Sequence, residues 1–169
     1  MLYPMSVLKG NNAKTEFTGI SFAGQGQNLD NGFKAVHIGQ NTKSVVNSKS
    51  ISKSGGISTF RSNIKILPNA KNSKCSVNCD GLMLDSFSRS DTIPTSDIQN
   101  FSSTFSHEAK VGKISEQALF YLMTRGLSED DAKELIIKGF ADPISKELPM
   151  EYAVEMNRLI SLELEGGVK

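Results

Sequence analysis

From Lys14 to Phe101 the chain runs through six short β-rich stretches with nothing of helical period between them, and that succession excludes a doubly wound α/β fold. The stretches are KTEFTGISFAG, GFKAVHIG, TKSVVNSKSIS, ISTFRSNIKILP, KCSVNCDGLMLD and SDTIPTSDIQNF, each bounded by Gly, Asn, Asp, Ser or Pro. Alternation is explicit in one of them: Phe60, Ser62, Ile64 and Ile66 fall on one face, Arg61, Asn63 and Lys65 on the other. One side is buried and one is wet. The runs recur every ten to fifteen residues, and most junctions lack the Asn-Gly or Asp-Gly of a tight hairpin. Coils of a solenoid fit this better than a meander, although with no exact repeat in view a β-sandwich stays open. The opening MLYPMSVLKG reads as a strand already under way, which points to a fragment of something longer.

At Ser115 the period changes from 2 to 3.6. Ser115 is placed to cap a helix running to Arg125, with Ala118, Leu119, Leu122 and Met123 on one face and Gly126 as a left-handed stop. Ser128 with Asp131 has the spacing of a capping box and opens a second helix that buries Ala132, Leu135 and Ile136 before Gly139. Pro149 suits the first position of a third, which carries Ala153, Met156, Ile160 and Leu164 to a stop at Gly166. The chain thus divides into a β region, 1–114, and a helical region, 115–169. Charge divides at the same place: 13 Lys+Arg against 7 Asp+Glu give the first region a net +6, while 6 against 11 give the second −5.

The basic residues of the β region are scattered singly among Ser and Asn, so no nucleic-acid face is expected. No apolar run approaches the ~18 residues of a membrane span. Two cysteines make no disulfide framework and no signal peptide precedes them, which fits a reducing compartment.

Both cysteines and one of the two histidines lie between Lys71 and Glu108. Cys75, Cys79, His107 and Glu108 are the residue types that iron or an iron–sulfur cluster would ask of a site. On a helix the Cys-x-x-x-Cys spacing would bring both sulfurs together, but Ser76-Val77-Asn78 reads as strand, where four residues span about 13 Å. The two sulfurs then cannot share one metal unless the chain turns between them. Asp80-Gly81 is a turn signal, across which the inward parity passes from Val77 and Cys79 to Leu82 and Leu84, so Cys79 is expected at a strand end beside a corner. Cys79 as a small buried hydrophobe and His107-Glu108 as a surface pair are the plainer readings. His37 would face solvent or a satisfied neighbour. In a parallel solenoid, positions one coil apart sit about 4.8 Å from each other, and the spacing from Cys79 to His107 is compatible with such stacking.

SKSISKSGGISTFR, ILPNAKNSKCSVNCDGLMLD, SRSDTIP, HEAKVGKISEQALFYLMTRGLSEDDA and ELPMEYAVEMNRLISLELEG together resemble the C-terminal portion of the SufB branch of the SufB/SufD family, the scaffold subunits of the SUF iron–sulfur cluster assembly system. The resemblance implies a right-handed parallel β-helix, here truncated on its N-terminal side, followed by a small domain of about three helices. It implies a scaffold and not an enzyme, with a transient cluster at Cys79, His107 and Glu108 at a seam with SufD or a second SufB, and with Cys75 structural. It implies that the helical domain docks the ATPase SufC, through Leu119, Phe120, Tyr121, Leu127, Met150, Glu151 and Tyr152, that sulfur arrives from an upstream donor, and that the place is the cytoplasm or the plastid stroma. The family complex also binds reduced flavin, for which this chain shows no motif. Three departures stand out. Pro-Tyr-Ile-Glu of the family is Pro94-Thr95-Ser96-Asp97 here, His-Glu-Ala-Thr is His107-Glu108-Ala109-Lys110, and the family's upstream region with its sulfur-accepting cysteine is missing.

Two other readings are a SufD-like subunit with no cluster of its own and a β-helix enzyme acting on carbohydrate. The latter would have to draw on Asp80, Asp85, Arg89 and Asp91, which the sequence places at turns.

Overall fold

Successive strands pass alternately into two parallel sheets, so the chain winds as a flattened β-solenoid of about four coils. The computed structural model describes residues 1–165 and divides into two units, Met1–Gly112 and Lys113–Lys169. The first unit holds β1 (Met5–Leu8), β2 (Lys14–Ala23), β3 (Asn28–His37), β4 (Lys43–Ser52), β5 (Ile57–Ile66), β6 (Lys74–Met83), β7 (Arg89–Ile98) and β8, which begins at Thr104 and ends at Lys113. One sheet has the order β1-β3-β5-β7 and the other β2-β4-β6-β8.

The strands pair in parallel, each on its equivalent in the next coil. Met5 lies beside Lys34, Lys14 beside Lys43, Asn28 beside Ile57, Lys43 beside Lys74 and Ile57 beside Arg89. The later coils are slightly longer than the earlier ones. The corners explain why these segments turn without hairpins. Asn12, Asn41 and Asn72 adopt positive φ (62°, 55° and 57°), the left-handed conformation that Asn tolerates better than other non-glycine residues. Each is followed by a small residue and a lysine, in Asn12-Ala13-Lys14, Asn41-Thr42-Lys43 and Asn72-Ser73-Lys74. The sequence therefore does carry a short repeat, Asn-x-Lys, at one stacked corner. The N–H of Asn12 donates to Gln40 O and that of Asn41 to Lys71 O, both at 2.8 Å, so each corner is tied to the next.

Between the sheets lie Leu8, Phe33, Ala35, Val46, Phe60, Ile64, Ile66, Val77 and both cysteines. The predicted faces of β5 hold: Phe60, Ser62, Ile64 and Ile66 are buried, with Arg61 and Asn63 exposed between them. Burying each aliphatic or phenyl side chain contributes about 1.5–3 kcal/mol. Phe17 stacks on Phe33 with centroids 4.6 Å apart and approaches Phe60 at 6.2 Å. His37, 0% exposed, is the satisfied alternative of the two expected. Its Nδ1 bonds Thr42 Oγ1 at 2.7 Å and its Nε2 bonds Ser44 Oγ at 2.8 Å, and Thr42 bonds on to Ser73.

Two local expectations are corrected. Asp80-Gly81 is no turn. β6 runs straight through it, paired with Lys49 and Ser50 of β4, and burial alternates unbroken through Cys75, Val77, Cys79 and Gly81. The parallel neighbour overrides the local turn preference, and Lys49 holds the Asp80 carboxylate on the outer face at 3.0 Å. Cys79 is consequently in mid-strand, not beside a corner. The other correction concerns Gly139, which does not end its helix.

In the second unit, α1 (Glu116–Thr124) is capped by Ser115, whose hydroxyl accepts the Ala118 N–H at 3.2 Å, and Gly126 has φ 94°. α2 (Glu129–Ser145) is capped by Ser128, which accepts the Asp131 N–H and donates to the Asp131 carboxylate. It continues past Gly139 because its buried stripe is Ala132, Ile137, Ala141 and Ile144 and extends beyond that glycine. Leu135 is 51% exposed. Pro143 lies within the helix and leaves the carbonyl of Gly139 without an N–H donor. α3 (Met150–Glu165) starts directly after Pro149, whose carbonyl accepts from Tyr152 and Ala153, and Ser161 donates to Glu134 of α2 at 2.7 Å. The expected stop at Gly166 lies outside the described residues.

Candidate functional site

Cys79 lies in the middle of β6, points into the solenoid and is 4% exposed. It sits beside Ser48 of β4 in the parallel register, and the Thr92 hydroxyl of β7 reaches its sulfur from the opposite sheet. Burial pushes the thiol pKa up, the hydrogen bond from Thr92 works against that rise, and the negative charge of Asp80 adds to it. The sulfur rests as a thiol and needs a cation or a rearrangement to become a ligand.

Cys75, 3% exposed, points the same way earlier on the same strand, beside Ser44. Burial raises its pKa too, with the Ser44 hydroxyl partly offsetting. Along an extended strand that separation is about 13 Å, so the two sulfurs cannot chelate one ion.

His107 lies on β8, a strand that the sequence pattern does not mark. The Thr104 N–H donates to Ser73 O at 2.9 Å, as the Lys74 N–H donates to Thr42 O one coil earlier. Lys74 is the register partner of Lys43, so the same geometry puts Thr104 beside Lys74. Counting on along both strands, the residue stacked beside Cys79 is Ala109. His107 lies beside Val77, two places away on the same inward face, with Cα atoms about 8 Å apart on the diagonal. It is half-buried with Phe105, and its Nε2 is buried with no hydrogen-bond partner.

Glu108 falls on the outer face by strand parity and is exposed. Its carboxylate pairs with Lys110 Nζ at 2.8 Å, and Glu108 raises the Lys110 pKa, first by that hydrogen bond and then by its charge. The structure thus brings Cys79 and His107 to one interior and places Glu108 on the other side of the sheet. Among the described residues no group of three or more His, Cys, Asp or Glu side chains is gathered to hold a metal.

The sequence reading missed Thr92, Gly81 and the Ser50–Ser90 pair, whose hydroxyls are 2.7 Å apart beside Cys79. Their one signal is parity: each falls on the inward set of its strand. The residues considered for carbohydrate chemistry are otherwise engaged. Asp85 accepts from the N–H groups of Ser54, Phe87 and Ser88 and from the Ser88 hydroxyl, Asp80 pairs with Lys49, and Arg89 pairs with Asp91 at 2.8 Å.

Of the helical residues, Phe120, Tyr121, Met150, Glu151 and Tyr152 are exposed, while Leu119 and Leu127 are half-buried. No described helix is long and apolar enough to cross a membrane.

The profile of the SUF system FeS cluster assembly SufBD core domain matches residues 1–140. The iron–sulfur cluster assembly protein SufB of Bacillus subtilis is 49% identical over 168 residues, covering 99% of this chain and 36% of the relative. A SufBD family protein of Staphylococcus saprophyticus is 51% identical over the same share of each chain, and one of Mycobacterium leprae is 48% identical over 19% of its own length. The chain spans little more than a third of the SufB relative. A parallel solenoid followed by three helices, a matching core-domain profile and near-half identity from end to end agree: the chain belongs to the SufBD family of iron–sulfur cluster assembly proteins.

Proposed function

We infer that this chain is the cluster-bearing, SufB-type part of an assembly scaffold, in which Cys79 binds the iron and sulfide of a nascent cluster and His107 and Glu108 serve as exchangeable ligands. The observation that carries this is the shared interior of Cys79 and His107 on β6 and on β8, the edge strand of that sheet, together with the orphaned His107 Nε2. Thiolate holds iron strongly, while imidazole and carboxylate are weaker and let a cluster leave. Glu108 joins such a site where another chain completes the end of the solenoid. The last coil offers the surface: β7 and β8 are both edge strands, and Ile93, Ile98, Phe101 and Val111 are exposed there. SufD or a second SufB is the partner this reading requires.

Iron and sulfide are cargo in this scheme, so the chain needs no turnover of its own. ATP hydrolysis belongs to SufC, docked on 115–165 through the exposed Phe120, Tyr121, Met150, Glu151 and Tyr152, with Leu119 and Leu127 supporting them from within. Sulfur arrives from a donor upstream. Two buried free cysteines suit a reducing cytoplasm.

Anaerobic reconstitution with iron, sulfide, SufC and SufD tests the reading through visible absorption and acid-labile sulfide. The unmutated assembly gains a cluster and Cys79→Ala loses it. Full absorption in Cys79→Ala would reject the assignment. A SufD-like chain, the remaining alternative, would capture SufC and gain no cluster of its own in either form.

A further inference from the structure

At 4% exposure the Cys79 sulfur needs a way in for any ligand. A slot of about 10 Å³ lies against it, lined among others by Ser50, Gly81, Ser90, Thr92 and Val111. That volume holds about one water-sized atom. Val111, one of its lining residues, is 45% exposed, and the bonded hydroxyls of Ser50 and Ser90 form its wall. Gly81 faces that wall. A Cβ there would stand 2.5 Å from Ser90 Oγ, 3.1 Å from Ser90 Cβ and 3.3 Å from Ser50 Oγ. Gly81 is not among the positive-φ residues, so the backbone does not demand glycine at this position. The space does.

We propose that Gly81 sets the size of this slot, keeping open a hydroxyl-lined passage that admits a one-atom ligand of the hydrosulfide or water class to the Cys79 sulfur. This rests on Cys79 being the cluster ligand and adds how that ligand is reached. The Ser50, Ser90 and Thr92 hydroxyls supply donors to the slot, Phe60 and Val111 supply apolar lining, and the two carboxylates that also line it, Asp80 and Asp91, are each paired with a cation, Lys49 and Arg89. An alanine methyl at position 81 would fill the slot or turn Ser90 aside and break its bond to Ser50.

The test uses the full chain without iron, with hydrogen peroxide as the smallest convenient probe and tert-butyl hydroperoxide as the bulky one. Oxidation at Cys79 and at Cys75 is read separately by peptide mass spectrometry. Gly81→Ala should slow peroxide oxidation of Cys79 by about tenfold and leave Cys75 unchanged, and adding Ser90→Ala should restore it. Ser90→Ala alone should speed oxidation of Cys79 several-fold and narrow the preference for the smaller probe. An unchanged Cys79 rate in a folded Gly81→Ala chain overturns the proposal. If Gly81→Ala does not fold, an unchanged rate in Ser90→Ala overturns it just as well. No cluster is present here, so this experiment and the reconstitution of Cys79→Ala can fail independently.

Discussion

Cys79 and His107 face the same interior from neighbouring strands, two places apart on the diagonal, while Glu108 next to His107 faces out and is held by Lys110. An ion pair this exposed is weak and is screened by salt. It nonetheless places a cation where iron would have to bind. Lys110→Met should raise iron(II) uptake by the scaffold about two- to five-fold at low salt, a size set by the modest strength of exposed pairs. The gain should vanish at high salt. Titration at two ionic strengths checks this, and equal uptake by both forms at low salt counts against Glu108 as a ligand.

The helical surface makes a separate prediction. Phe120 and Tyr152 are 70% and 67% exposed, so replacing either by Asp should change stability by no more than about 0.5 kcal/mol. Each replacement should weaken capture of SufC by about tenfold or more, the loss expected when an aromatic anchor leaves an interface. Surface plasmon resonance gives the affinity, and circular dichroism confirms that the helices persist. Undiminished capture by both variants would move the docking face elsewhere.

His37 makes the solenoid sensitive to mild acid. Burial depresses its pKa, so it stays neutral in the folded chain while the unfolded chain takes up a proton near pH 6.5. The contribution is fully present above that value and is lost as pH falls below it toward the folded pKa. The melting temperature should therefore decline from pH 7 to pH 5. His37→Gln should flatten that slope and lower stability at pH 7 by about 2 kcal/mol, since Thr42 and Ser44 lose a buried partner. Thermal denaturation across that pH range decides.

Much of the fold was legible because local and global signals coincide. The alternation of Phe60, Ser62, Ile64 and Ile66 is also their real burial, and Ser115 and Ser128 cap helices in the way their spacing predicts. Reading failed where a neighbouring strand outweighs local preference. Asp80-Gly81 looks like a turn until β4 is beside it, and β8 is inconspicuous because its polar run from Ser106 to Lys110 carries few apolar residues to show parity. The Asn corner repeat escaped because each copy is very short and lies a whole coil from the next. Uneven coil length hides the stacking as well. Nothing in the sequence distinguishes His107 from Ala109 as the residue one coil beyond Cys79, whereas the hydrogen bond from Thr104 to Ser73 selects Ala109. The companions of Cys79, above all Thr92 and Gly81, come from pairing and packing that no single-strand pattern contains.

The most direct measurement is a paired reconstitution of Cys79→Ser and Cys75→Ser in the same assembly, counting iron and acid-labile sulfide per chain. The two cysteines share a strand, a face and a buried setting, so general damage to the solenoid would touch both alike. Cys75→Ser should keep the cluster of the unmutated chain and Cys79→Ser should lose nearly all of it. Equal retention by the two variants, or loss in Cys75→Ser alone, would contradict a cluster held at Cys79.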